Sequence, residues 1–220
     1  MSVDATQIAP EGQAATEART ALEDQLAVDR EAADLLFLEA RTANTFSAEP
    51  VSEETLAAIY ELTKMGPTAM NNQPLRITWV RSPEARERLA AHMSEGNREK
   101  TRTAPAVAVL SYDTEWHEHF PTFFPHAPER RAMFDGDAQR RAEVAKNNAW
   151  MQAGYFTMAV RAVGLHAGPM GGFNAAGVDE EFNAGTGRRA FLVVNIGTPG
   201  ENPWFGRLPR LDAEVATRVL

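Results

Sequence analysis

Apolar and polar positions repeat along this chain with two different periods, and the changes of period mark its elements. Leu56, Ile59 and Leu62 recur every three residues, the spacing of one helix face. Ser52, followed by Glu53 and Glu54, predicts an N-cap with two acids in the first turn, where the helix dipole favours them. Thr55 stands where Glu or Gln would complete a capping box. Met65-Gly66-Pro67 ends that helix. Upstream, Leu22, Leu26, Ala33, Leu36 and Leu38 predict one or two amphipathic helices between Ala14 and Ala40. Leu75 to Arg81 is rich in β-formers and reads as a strand, after which Ser82-Pro83-Glu84 opens a helix with proline in its first turn. Ala106 to Tyr112 is a short apolar run, read as a buried strand, and Phe191 to Gly197 is a second one. Ala138 to Gly164 lacks proline and repeats through Val144, Asn148, Met151, Tyr155 and Met158, predicting a long central helix. Between them, Asp113 to Asp137 is irregular and holds three prolines and three of the five histidines. A loop of that length usually has a function. Few strands among dominant helices point to an α+β sandwich more than a doubly wound parallel sheet.

Composition narrows the function classes. The 220 residues suffice for one domain, read here as residues 13–220 behind a small, polar, disordered tail at 1–12. A net charge of −8 does not suit a polyanion, so nucleic acid is not an expected partner. With no cysteine, disulfides, thiolate catalysis and Cys-ligated metal or iron–sulfur sites are excluded, and a reducing, cytoplasmic setting is expected. The N-terminus has neither the basic start nor the apolar run of a signal peptide, and no stretch nears the ~20 apolar residues of a membrane helix.

Common nucleotide and hydrolase motifs are missing: there is no G-x-G-x-x-G after a strand, no P-loop and no G-x-S-x-G. His117-Glu118-His119 has the residue types of a metal site, but no third ligand is evident and a polar loop is the simpler reading, so no metal is expected. Four other segments, each ordinary alone, form a set. Glu39 to Phe46 ends a helix, where Arg41 would be a dipole-compensating cation. Pro67-Thr68-Ala69-Met70-Asn71-Asn72-Gln73-Pro74 and Gly168-Pro169-Met170-Gly171-Gly172-Phe173 read as turns, and Gly206-Arg207-Leu208-Pro209-Arg210 as a basic tail.

In this order and spacing, the Pro-x-x-x-Asn-x-Gln-Pro, Gly-Pro-Met-Gly-Gly-Phe and Arg-Leu-Pro patterns resemble the nitroreductase superfamily from about Leu35 onward. Glu115 to Arg130 resembles the long insertion of the subgroup named for malonic semialdehyde reductase, the RutE-like group, which forms 3-hydroxypropanoate. The resemblance implies a mainly antiparallel central sheet surrounded by helices, and an intertwined homodimer with FMN at the interface. It implies NADPH or NADH as hydride donor, ping-pong transfer to a small-molecule acceptor through the flavin, and no side-chain nucleophile.

It further implies that Arg41 and Arg207 bind the FMN phosphate, an anion suited to the planar guanidinium fork, with Arg210 a lesser candidate. Thr42 and Asn44 extend the first segment. Asn97 and Lys100 stand near the isoalloxazine ring, where a cation favours the reduced flavin. Thr68, Ala69 and Asn71 come from the partner subunit, and Pro169, Met170, Gly171 and Gly172 bring backbone against the ring. This chain departs from the pattern at two places: Gly171 stands where many members carry an acid, and Arg41-Thr42-Ala43-Asn44 keeps one arginine where many have two around a serine. Donors to a substrate would come from His117, His119, His126, Arg130 or Arg131. Competing readings are a reductase of nitroaromatics, quinones or enones, a non-catalytic flavin-binding protein, and a helical interaction protein.

Overall fold

The computed structural model describes Leu22 and residues 24–220. The 1–12 tail and the first part of the upstream helical stretch lie outside the described residues. Among the described residues of that stretch, 24–29 are not helical. The Asp29 side chain accepts from Ala32 N at 2.8 Å and starts α1 (Arg30–Ala33), which widens into a π turn over Asp34–Leu38.

The frame is a four-stranded sheet of β1 (Leu75–Val80), β2 (Ala106–Asp113), β4 (Arg188–Gly197) and β3 (His166–Met170), in that spatial order and antiparallel throughout. Side chains on a strand alternate between faces, and the two central strands show it directly. Ala106, Ala108, Leu110, Leu192, Val194 and Ile196 enter one core with Leu56, Ile59 and Phe156. Val107, Val109, Ala190 and Val193 enter a second core with Leu89, Met93 and Val178. Both faces of the sheet are therefore covered, and AVAVLSY is continuously apolar for that reason. The first core is roofed by α2 (Glu53–Thr63) and the 25-residue α6 (Ala138–Ala162). The second is roofed by α3 (Pro83–His92), α4 (Glu95–Thr103) and α7 (Ala175–Phe182).

The predicted caps form as read. Ser52 Oγ accepts from Thr55 N, and Ser82 Oγ from Ala85 N, both at 3.1 Å. Gly66, just past α2, lies against α6. A Cβ there would stand 2.8 Å from Cγ of Tyr155. Gly66→Ala is expected to cost about 1–3 kcal/mol as an overpacking change. That is a fall of several degrees in Tm by thermal unfolding, at ~2–4 °C per kcal/mol for this size. An unchanged Tm would mean that the Tyr155 ring gives way freely.

Two elements depart from the sequence expectation. The Gly168–Phe173 turn begins inside a strand, β3. Pro169 has no N–H to donate, but β3 is an edge strand, where proline is tolerated. The 113–137 segment is a built unit rather than an irregular loop. A 3₁₀ turn (Trp116–His119), the short α5 (Phe120–Phe123) and a 3₁₀ stretch (Pro128–Phe134) fold around a core of their own. Trp116, Phe120, Phe134 and Ala145 are buried in it, with Met70, Phe123 and Phe124 packed against them. The Trp116 indole N–H donates to the Arg141 carbonyl at 3.1 Å. Among the described residues no helix is long and apolar enough to cross a membrane.

Candidate functional site

Beyond the last turn of α6, the chain at 40–44 and the C-terminal arm enclose a cavity of about 320 Å³. Arg41, Arg161, Arg207 and Arg210 line it, together with Thr42 and Asn44. Arg41 donates to the Phe205 carbonyl and lies 6.0 Å from the Trp204 ring. Arg207 meets one acid, Glu39, at 3.9 Å. Arg161, from the end of α6, donates to the Leu36 carbonyl at 2.8 Å, and burial pulls its pKa below the ordinary value. A guanidinium keeps its proton in proteins, so the site still presents four cations to one space. His166, at the start of β3, packs against Trp204 with ring centroids 5.1 Å apart and the rings tilted by 49°. Burial holds its pKa below the usual range and Arg161 adds to this, while a hydrogen bond involving the Arg41 backbone opposes it.

From this cavity a strip of predicted residues runs across the sheet end. Asn44 Oδ1 receives Lys100 Nζ at 3.4 Å, and its backbone N–H donates to Pro203 O at 3.0 Å. Burial lowers the Lys100 pKa. Asn195, fully buried on β4, donates from Nδ2 to the Lys100 carbonyl at 2.9 Å and so fixes the end of α4. Asn97 Nδ2 donates to the Gly172 carbonyl at 3.0 Å, joining α4 to the glycine turn. Pro169 and Gly171 are exposed, and a Cβ on Gly171 would meet nothing within 4 Å, so the backbone there borders open space. Arg41, Thr42, Asn44, Asn97, Lys100, Pro169, Gly171, Gly172 and Arg207 are thus brought onto one strip, while the Met170 side chain is buried in the second core.

Thr68, Ala69 and Asn71 are not on it. They form a separate corner held by the long helix and the 113–137 unit. Ala69 N donates to Asn148 Oδ1 at 2.7 Å, and Asn71 Nδ2 to the Phe123 carbonyl at 2.9 Å. Met70, Asn71 and Gln73 take the left-handed conformation, with φ of 54°, 54° and 39°. Such backbone persists where the surroundings impose it, and it clusters at functional sites.

Sequence reasoning missed Arg161, which looks like any helix-end cation, and Asn195, which sits inside an apolar strand run. A larger cavity, about 580 Å³, runs along the free edge of β1 and holds none of the strip; Asn72 lines it, buried with both amide atoms unpartnered. Glu115, His117 and Glu118 bring ligand atoms within 4.8 Å of one another, but Arg131 holds Glu118 at 2.9 Å and Arg141 reaches Glu115 at 3.4 Å.

A model of the nitroreductase family matches residues 38–198, which spans the sheet and nearly all of the strip. The chain belongs to the nitroreductase family. A Streptomyces griseus protein, provisionally named NADH dehydrogenase/NAD(P)H nitroreductase, is 53% identical over 195 residues, 88% of this chain and 99% of that one. A Streptomyces coelicolor protein with the same provisional name is 56% identical over 186 residues, 84% of this chain and 94% of that one. Among solved structures, a provisionally named nitroreductase from Exiguobacterium sibiricum, in complex with FMN, superposes with a TM-score of 0.77 at 18% identity, over 89% of this chain and 99% of that one. An enone reductase of gut-bacterial fatty acid saturation gives 0.75 at 18%, over 88% and 99%. At that identity the two structures share the family's fold with this chain. That fold, α+β with an antiparallel sheet between helices, is the one the resemblance implies.

Proposed function

We propose that this chain works as a homodimer that reduces malonic semialdehyde to 3-hydroxypropanoate, with residues 13–220 as a single FMN-binding unit in the cytoplasm. It is an FMN-dependent NAD(P)H oxidoreductase of the nitroreductase family. The observation that carries the reading is the four-arginine cavity continued by the Asn44–Lys100–Asn97–Gly172 strip: a dianion pocket followed by a polar edge and open backbone, in the order of a flavin's phosphate, ribityl chain and ring. The donor set fits FMN. Arg41, Arg161 and Arg207 would hold the phosphate through charge-assisted bonds, with Arg210 behind them. Lys100 would place positive charge at the ring's N1 and O2 edge, held there by Asn195 through its own carbonyl. Gly171 and Gly172 would let backbone approach the ring. Held there, FMN would supply hydride transfer between NAD(P)H and the acceptor. The protein orients both partners and supplies compensating charge, so no nucleophilic side chain is needed.

Two features support the dimer. Phe205, Leu208, Leu211 and Val215 on the C-terminal arm are at least 72% exposed, and Trp150, Met151 and Tyr155 form an exposed stripe on α6. A run of uncovered apolar residues of this kind marks an interaction surface. Thr68, Ala69 and Asn71, remote from the strip within one chain, would complete a partner's site across that interface.

A second reading keeps the flavin and exchanges the acceptor for nitroaromatics, quinones or enones. The provisional nitroreductase names of the Streptomyces relatives favour it. One preparation tests both. After FMN is added and the protein desalted, retained flavin absorbance that bleaches within seconds of anaerobic NADPH or NADH is the expected result, with light scattering at twice the chain mass. Comparing kcat/KM for malonic semialdehyde and a nitroaromatic then ranks the acceptors. Colourless, folded protein would overturn the flavoenzyme reading, bound flavin that NAD(P)H leaves oxidised would mean a carrier, and an FMN-loaded monomer would overturn the dimer.

A further inference from the structure

We propose that Arg130, with His126 beside it, selects acceptors that carry a carboxylate, and that the 113–137 unit holds this pair at the flavin site. The proposal rests on the flavoenzyme reading above and adds the group that chooses its substrate.

The sequence leaves five candidate donors in this segment, and the structure separates them. His117 is 3% exposed and faces Glu115, Glu118 and Asp135 at 3.6–3.9 Å, so it is enclosed by acids of its own chain. Arg131 is engaged by Glu118 at 2.9 Å and by Asp135 at 3.1 Å. His119 lines the cavity along the β1 edge, which the acid Asp113 also lines. Two remain. Arg130 and His126 are exposed, and among the described residues neither meets an acid. Both lie on one ring: the His126 ring centroid is 3.9 Å from that of Phe124, and the Arg130 guanidinium carbon is 5.6 Å from it.

Phe124 is half-buried and packs against the Trp116–Phe120–Phe134 core, so the platform is rigid. The preceding residue, Phe123, accepts the Asn71 amide, and Met70 packs on the same core. Asn71 is one of the residues read as facing the flavin. The aromatic unit is therefore anchored to the flavin-facing corner, and its uncompensated cation goes where that corner goes.

A guanidinium is suited to this task, because it bonds both oxygens of a carboxylate at once. Stacking on Phe124 limits its rotamers and leaves its N–H fork free. The overall charge of −8 repels a small anion at long range, so a substrate acid needs a local cation to be favoured. His126 would add a second donor to the same carboxylate.

The test compares wild type, Arg130→Gln, Arg130→Lys and Arg140→Gln as FMN-loaded protein. Arg140 carries the same charge over a different ring, Phe134, at 5.2 Å. Calorimetric titration with malonate, an unreactive dicarboxylate, reads binding directly. The kcat/KM ratio of 4-nitrobenzoate to 4-nitrobenzamide reads the preference for a carboxylate. Arg130→Gln is expected to weaken malonate and lower the ratio by about tenfold or more, the scale of one hydrogen bond to a charged group. Arg130→Lys should fall between, and Arg140→Gln should match wild type. Equal effects of Arg130→Gln and Arg140→Gln would reduce the result to a general field and overturn the proposal. So would malonate binding that ignores Arg130. The Arg130 side chain makes no hydrogen bond or ion pair to another described residue, so Arg130→Gln is expected to fold, and its Tm checks this. Protein that retains no flavin would sink the flavoenzyme reading, while malonate titration would still decide whether Arg130 holds an acid.

Discussion

Replacing Arg161 with methionine is expected to weaken FMN binding by about ten- to a hundredfold, the equivalent of ~1.5–3 kcal/mol for a hydrogen bond to a charged group. Methionine keeps most of the volume and packs where the arginine stem packs, so the loss reads the charge. The effect should match that of Arg41→Met or Arg207→Met, because all three cations line one cavity. The family pattern around Arg41 lacks its second arginine here, and Arg161 supplies a cation to the same space from the far end of α6. Double replacements should not add, since neighbouring cations share one dianion. Quenching of FMN fluorescence on titration measures each Kd. An Arg161→Met protein with wild-type affinity would mean that the phosphate sits elsewhere and that Arg161 serves only the Leu36 carbonyl it bonds at 2.8 Å.

Trp116→Ala is expected to give the largest loss of stability. Trp116 is 1% exposed, touches the rings of Phe120, Phe123 and Phe134, and donates its N–H to the Arg141 carbonyl. Truncating such a side chain costs about 3–5 kcal/mol through lost burial and the cavity left behind. At this chain length that is a Tm lower by roughly 6–20 °C. The loss should be local first, because the 113–137 unit has its own core and the sheet has two others. Hydrogen exchange should rise across 113–137 and at the Asn71 corner while β2 and β4 stay protected. Uniform exchange throughout the chain would show instead that this aromatic core is part of one cooperative unit.

The sequence was most readable where one local rule decides the outcome. Ser52 and Ser82 cap helices because their hydroxyls reach the third N–H on, whatever the rest of the fold does. AVAVLSY is a strand because both of its faces are covered. β3 was hidden because Gly168 and Pro169 are poor strand formers, and only the edge position in the sheet makes them acceptable. The 113–137 core was hidden because Pro121, Pro125 and Pro128 interrupt the helical spacing of Trp116, Phe120 and Phe123, and Phe134 lies well beyond them. Their meeting is tertiary. The motif residues could be singled out by their spacing, whereas Arg161 and Asn195, which the structure places beside them, could not. A lone helix-end arginine and an asparagine inside FLVVNIG carry no sign of which cavity or carbonyl they will reach.

The C-terminal arm carries Arg207 and Arg210 on a segment whose Phe205, Leu208 and Leu211 are exposed. Anything that fixes this arm fixes two of the four cations, and a phosphate gripped by those cations fixes the arm in return. If a second chain covers the apolar residues, cofactor loading and assembly must strengthen each other by the same factor, since coupling between two binding events is reciprocal. Dilution would then shed flavin, and flavin depletion would loosen the pair, with the arm as the hinge of both equilibria.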